Sequence, residues 1–223
     1  MREKILFFIF SLVLFLPLNV CSEEIEEDES LSTNVLIIFD SSGSMRGRRL
    51  TEAKESVRHF LESLGARVNL GLLAFTPKGE PLEVEKIQFS DQVTGEERSS
   101  ILQRIKSKLK SIVAMGPTPL TKCLEKCLKI CQARLEDYPY ERNVVLMVTD
   151  GKDTVSGTNT VAPIMDKLTK TGVSVNLIAF ETKNNEYLKK YASKYFQPNN
   201  RAELQEALKE AMTEAETFSS YGE

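Results

Sequence analysis

Val35-Leu36-Ile37-Ile38-Phe39-Asp40-Ser41-Ser42-Gly43-Ser44 joins an unbroken apolar run to a short polar loop. An apolar run without alternation is the pattern of a strand covered on both faces, as in the parallel sheet of an α/β fold. The Ser-Gly cluster after it marks a tight turn. In D-x-S-x-S spacing, Asp40, Ser42 and Ser44 therefore place one carboxylate and two hydroxyls at the end of a buried strand. Oxygen donors of this kind suit a hard divalent cation, Mg2+ or Mn2+. The same residues could instead cap the helix that follows.

Strand and helix signals alternate from there. Leu50, Ala53, Val57, Phe60, Leu61 and Leu64 recur at helical spacing, and Gly65 ends that helix. Val68–Phe75 reads as the next strand. Leu82–Phe89 alternates apolar and charged residues with a slip of phase near Lys86, as in an edge strand with one wet face. Thr94 with Glu97 makes a capping box for a helix whose stripe is Ile101, Leu102, Ile105, Leu109 and Ile112. A third helix runs from about Pro119 to Leu135, followed by a strand at Asn143–Thr149 and a helix at Val161–Thr169 that Gly172 breaks. Val173–Phe180 is a strand, and two helices are expected near Asn184–Lys194 and Arg201–Thr217. This order predicts a doubly wound α/β fold: a mostly parallel central sheet, one antiparallel edge strand, and helices on both faces. Right-handed crossovers then put the loops after parallel strands on one rim, at their carboxyl ends.

Two further segments reach that rim. Gly116-Pro117-Thr118-Pro119-Leu120 offers a threonine hydroxyl, and the apolar run Val144–Val148 leads through Thr149 to Asp150-Gly151. Taken together, the three segments resemble the metal-ion-dependent adhesion site of a von Willebrand factor type A domain. The likeness extends over about Asn34 to Thr217 in the order of elements. It implies a Rossmann-like fold over residues 33–219 and a Mg2+ or Mn2+ held by Asp40, Ser42, Ser44 and Thr118, with Asp150 acting directly or through water. Pro117 stands where many members have a second glycine. The resemblance further implies binding of a protein partner whose Asp or Glu carboxylate completes the metal's shell.

Other residues read as structural. Cys123, Cys127 and Cys131 share one helical face and read as small buried hydrophobes, because thiolates on one helical line converge poorly on a metal. His59, the only histidine, lies off its helix's apolar stripe and reads as a surface residue. Without a second histidine, neither Ser/His nor Cys/His catalysis has a base, and no enzyme is expected. Lys152 and Asp153 read as solvent-facing. Arg46, Arg48 and Arg49 either attract an acidic partner or form a solvated helix start.

The chain has 223 residues and a net charge of −3, which gives no electrostatic case for nucleic acid. Its acidity is concentrated in Glu23, Glu24, Glu26, Glu27, Asp28 and Glu29, leaving the globular part close to neutral. Residues 21–32 therefore read as an extended, self-repelling tether. Ahead of them, the basic Met1-Arg2-Glu3-Lys4 and the apolar Ile5–Leu18 form a signal segment over residues 1–20, too short for an ordinary membrane span. Leu18 sits three residues before Cys21, as in a bacterial lipoprotein signal, although Val20 stands where a small residue is usual. The expectation is a lipidated Cys21 and an envelope-anchored domain; an uncleaved membrane anchor is the alternative. Two other functions are open: an accessory subunit of an ATPase-linked or assembly machine, and a metal-dependent hydrolase. No G-x-x-x-x-G-K-[ST] loop occurs, so the chain is not itself the ATPase.

Overall fold

The opening apolar run is the centre of a six-stranded sheet. β1 (Thr33–Phe39) lies between β2 (Val68–Phe75) and β4 (Arg142–Thr149). β3 (Pro81–Gln88) forms one edge, and β5 (Ser174–Ala179) and β6 (Lys194–Phe196) lie beyond β4. This computed structural model describes residues 32–213 except 66, 90, 92 and 184. The signal segment, Cys21, nearly all of the tether and residues 214–219 of the expected domain lie outside the described residues. Among those described, no helix is long and apolar enough to cross a membrane.

Every strand pair is parallel except β2 with β3, as the alternating pattern predicts. β1 runs unbroken because both its faces are covered. Val35, Ile37 and Phe39 pack under α1 (Arg48–Ser63), α2 (Gly95–Ser111) and α5 (Arg201–Thr213), against Phe60, Leu61, Ile105 and Leu208. Leu36 and Ile38 face the opposite way, under α3 (Leu120–Asp137) and α4 (Val161–Lys170), against Leu124, Leu128 and Met165. Each such fully buried side chain contributes about 1.5–3 kcal/mol relative to exposure, so the strand is fixed from both sides.

The capping box forms as expected: Glu97 N–H donates to Thr94 Oγ1 at 3.3 Å, and Thr94 N–H donates to Glu97 Oε2 at 2.8 Å. The phase slip in β3 corresponds to register shifts against β2 between Leu70 and Leu73. They turn Glu85 inward, where Arg104 and Lys108 pair with it. The expected helix near Asn184–Lys194 is not there. A 3-10 segment, Glu186–Tyr191, gives way to β6, held through Ser193 N–H to Val175 C=O at 2.8 Å. A three-residue strand shows no period in sequence, and its aromatic residues favour strand over helix.

Candidate metal centre

Parallel neighbours end together. Phe39 pairs with Val148, so the residues after β1 and β4 leave the sheet side by side. Asp40 N–H still donates to Val148 C=O at 2.9 Å. The Asp40 carboxylate is wholly buried; it accepts from Ser42 N–H at 2.8 Å through Oδ1 and from the Thr149 hydroxyl at 2.5 Å through Oδ2. A single 3-10 turn, Gly43–Met45, then brings Ser42 Oγ and Ser44 Oγ to 3.0 Å. Ser44 in turn donates to Asp150 Oδ1 at 2.7 Å.

Thr118 arrives from the loop between α2 and α3. Thr154 staples its backbone: Thr118 N–H donates to Thr154 Oγ1 at 2.9 Å and Thr154 N–H to Thr118 C=O at 3.0 Å. A Cβ built on Gly151 would lie 3.7 Å from Thr118 Oγ1 and 3.9 Å from Ser44 Oγ, so both hydroxyls line the space over that glycine. The loops are tied to one another through Met115 N–H to Ser41 C=O at 2.9 Å and Gly43 N–H to Gly116 C=O at 3.0 Å. Gly116 has φ +78°, and a Cβ there would fall 2.6 Å from Pro77 O, so only glycine fits. All five residues read from the sequence therefore stand in one cluster of two carboxylates and three hydroxyls.

The capping alternative does not hold. The N-cap of α1 is Gly47, and Ser42, which precedes the 3-10 turn, makes no side-chain capping bond. Burial pushes the Asp40 carboxyl up to about 6, against the downward pull of hydrogen bonds from Ser42 and Thr149, and the nearby Asp150 pushes the same way as burial. Among the described residues no cationic side chain pairs with Asp40. A buried carboxylate without a counter-charge is costly unless a cation joins it. The all-oxygen donor set around it fits Mg2+ or Mn2+.

Several neighbours were not expected from sequence. Asp153 is buried rather than solvent-facing: its carboxylate accepts from Thr121 N–H at 2.6 Å, Val155 N–H at 2.9 Å and Ser156 N–H at 2.7 Å. An acidic residue two and three positions before free N–H groups is an Asx-turn signal that could have flagged it. Arg48 and Arg49 are neither free nor merely solvated, since both reach Glu181, and Arg49 also reaches Asp150. Thr149, which in sequence is only the end of its strand, holds Asp40. Cys123, Cys127 and Cys131 are buried free thiols. Burial pushes Cys123 and Cys131 up to about 12 and Cys127 well above its ordinary value. Such thiols stay protonated and inert. His59 is half exposed, 3.7 Å from Glu62.

Comparison with known proteins agrees with this fold. The family model described as von Willebrand factor type A domain matches residues 34–216. YwmD of Bacillus subtilis (strain 168) is 30% identical over 210 residues, 86% of this chain and 90% of that protein. Among solved structures, the pilus adhesin SpaC from Lactobacillus rhamnosus GG aligns with TM-score 0.64 and 14% identity over 82% of this chain and 30% of that one. The manganese-loaded Plasmodium vivax TRAP protein aligns with TM-score 0.60 and 16% identity over 82% of this chain and 74% of that one.

Proposed function

The chain belongs to the von Willebrand factor type A domain family, and from that premise we propose that it is an envelope-anchored, metal-dependent binding module rather than an enzyme. The observation that carries this reading is Asp40: a fully buried carboxylate, without a cationic partner among the described residues, beside the hydroxyls of Ser42, Ser44 and Thr118. Asp40 is the anionic ligand in this reading. Ser42, Ser44 and Thr118 are neutral ligands, and Asp150 orients the Ser44 hydroxyl and contributes its charge directly or through water. When bound, Mg2+ or Mn2+ supplies an electrophilic position that a carboxylate oxygen can fill. With mostly neutral ligands, little of that charge is quenched from within. The partner is therefore a protein presenting an exposed Asp or Glu.

Two proteins of the same fold support this by analogy. One solved relative is a pilus adhesin and another is manganese-loaded. Anchoring through a lipid on Cys21 rests on the Met1–Cys21 pattern. Mass spectrometry of the mature N-terminus should find a diacylated Cys21 and no residues before it; an intact Met1–Val20 segment would refute that part. For the binding function, the domain is used as bait on envelope extract. Wild type with Mg2+ should retain a partner that is lost both in chelator and with Asp40→Ala. Retention in chelator would refute the metal-bridged mechanism.

A further inference from the structure

Asp40 and Asp150 differ in their charged partners. Among the described residues Asp40 has no cationic partner, whereas Asp150, whose side chain is fully buried, has Arg49. Arg49 Nη1 donates to Asp150 Oδ2 at 2.8 Å, and Arg49 Nε donates to Glu181 Oε2 at 3.0 Å. Arg48 holds the other oxygen of Glu181, with Nη2 to Oε1 at 2.5 Å, and pairs with Glu52 at 3.0 Å. Glu181 follows β5 with φ +51°, in the left-handed region that only a few non-glycine residues adopt. Its backbone is held there through Glu181 N–H to Pro198 C=O at 2.8 Å. A row of alternating charges thus runs from the site outward, and its innermost cation, Arg49, keeps 38% of its side chain exposed at the rim.

We propose that Arg49 is the specificity-determining residue of the site: it withdraws one of the two internal negative charges from the metal and presents a guanidinium to an incoming carboxylate. The inference rests on the metal-binding reading above. Two carboxylates less one guanidinium leave a single negative charge to face a dication, and one external carboxylate brings that set to neutrality. The same guanidinium lies one carboxylate away from the Ser44 hydroxyl, through Asp150. With Nε and Nη1 committed inside, Nη2 is left to donate to the second oxygen of a metal-bound carboxylate, a charge-assisted bond for which a hydroxyl ligand has no second oxygen. Arg49 therefore weakens the bare metal and strengthens the metal–carboxylate pair. A residue that only braced the loop would move both affinities the same way.

The test uses Mn2+ alone and then acetate, followed by water-proton relaxation on the intact domain. Arg49→Gln should bind Mn2+ about three- to tenfold more tightly at low salt, an excess that shrinks as salt is raised. It should bind acetate about tenfold more weakly at equal Mn2+ saturation. Arg49→Lys, which keeps the charge but has a single nitrogen in place of the three that would reach Glu181, Asp150 and the ligand together, should hold Mn2+ within about twofold of wild type while still losing acetate. Weaker Mn2+ binding in Arg49→Gln, or unchanged acetate binding in both variants, would overturn the inference. Mn2+ binding that survives Asp40→Ala would overturn the metal reading itself, and this inference with it.

Discussion

The two ends of the sheet bury polar groups in opposite ways. At the amino ends of the strands, Asn34 pairs in register with Asn69 and with Asn143, and their amides are linked: Asn69 to Asn34 at 2.6 Å and Asn34 to Asn143 at 3.2 Å. Glu141 accepts from Asn34, Ser32 and a two-pronged Arg134, whose Nε and Nη2 reach it at 2.5 and 2.6 Å. Arg134 also stacks on Tyr138 at 3.4 Å and lies over Phe89 at 4.1 Å. Burial works to raise the Glu141 carboxyl, but bonds from Arg134, Ser32 and Asn34 together hold it below the usual carboxylate range. Glu141 and Arg134 thus answer each other within the chain, with Asp91 as a second partner of Arg134. At the carboxyl ends, Asp40 is more deeply buried than Glu141 and is pushed up by that burial, and among the described residues no cation pairs with it. A closed network stabilises the fold; an open one leaves room for a ligand.

The largest expected effect is at the closed end. Arg134→Ala strands Glu141, whose side chain is only 9% exposed, and should destabilise the domain by about 3–5 kcal/mol in urea unfolding, since truncating one member of a largely buried pair leaves the other uncompensated. A loss below about 1 kcal/mol would place Arg134 among ordinary surface ion pairs and erase the contrast.

Asp40→Asn should do the reverse. A carboxyl raised from 3.8 to about 6 contributes stability that is fully present below the lower value and lost as pH rises through the upper one. Asparagine keeps a neutral side chain at every pH, and Thr149 Oγ can rotate to accept from its amide. In chelator at pH 8, Asp40→Asn should therefore be more stable than wild type by about 1–3 kcal/mol. The gap should close as pH falls from about 6 toward 4. A destabilised Asp40→Asn at pH 8 would mean that Asp40 is satisfied internally, like Glu141.

α3 connects the two ends, with Leu120 beside the rim and Arg134 in the closed network, and its cysteines lie between. Replacing Cys123, Cys127 and Cys131 with alanine should cost about 1–3 kcal/mol in lost packing and leave Mn2+ affinity unchanged. Loss of metal with the thiols would join them to the open end. The smallest effect belongs to Thr94→Ala at the start of α2. Removing its cap should cost about 1 kcal/mol in thermal unfolding without touching the metal site; a change in metal affinity would show that the ends communicate.

What the sequence made legible follows from the range of the interactions. β1 and β4 announce themselves because strands covered on both faces need unbroken apolar runs, and the ligands follow because Asp40 and Asp150 come directly after those strands, Ser42 and Ser44 sit in the Ser-Gly turn after Asp40, and Thr118 lies between two prolines. The closed network was not legible. In sequence Asn34 and Asn143 stand only at the starts of apolar runs, and the hydrogen-bonded row of Asn69, Asn34 and Asn143 depends on strand register. Arg49 was visible as a charge beside the loop, but its partners Asp150 and Glu181 lie 101 and 132 positions away. Asp153 was misplaced because an acid in a turn ordinarily faces water, and here three backbone N–H groups replace that water.

Titration calorimetry of wild type and Asp40→Ala, first with Mg2+ and then with Mn2+, tests the central claim most directly. Wild type should bind one ion with measurable heat, and Asp40→Ala, still folded by circular dichroism, should show no specific binding. Equal affinity in the two proteins would contradict the assignment of the metal site.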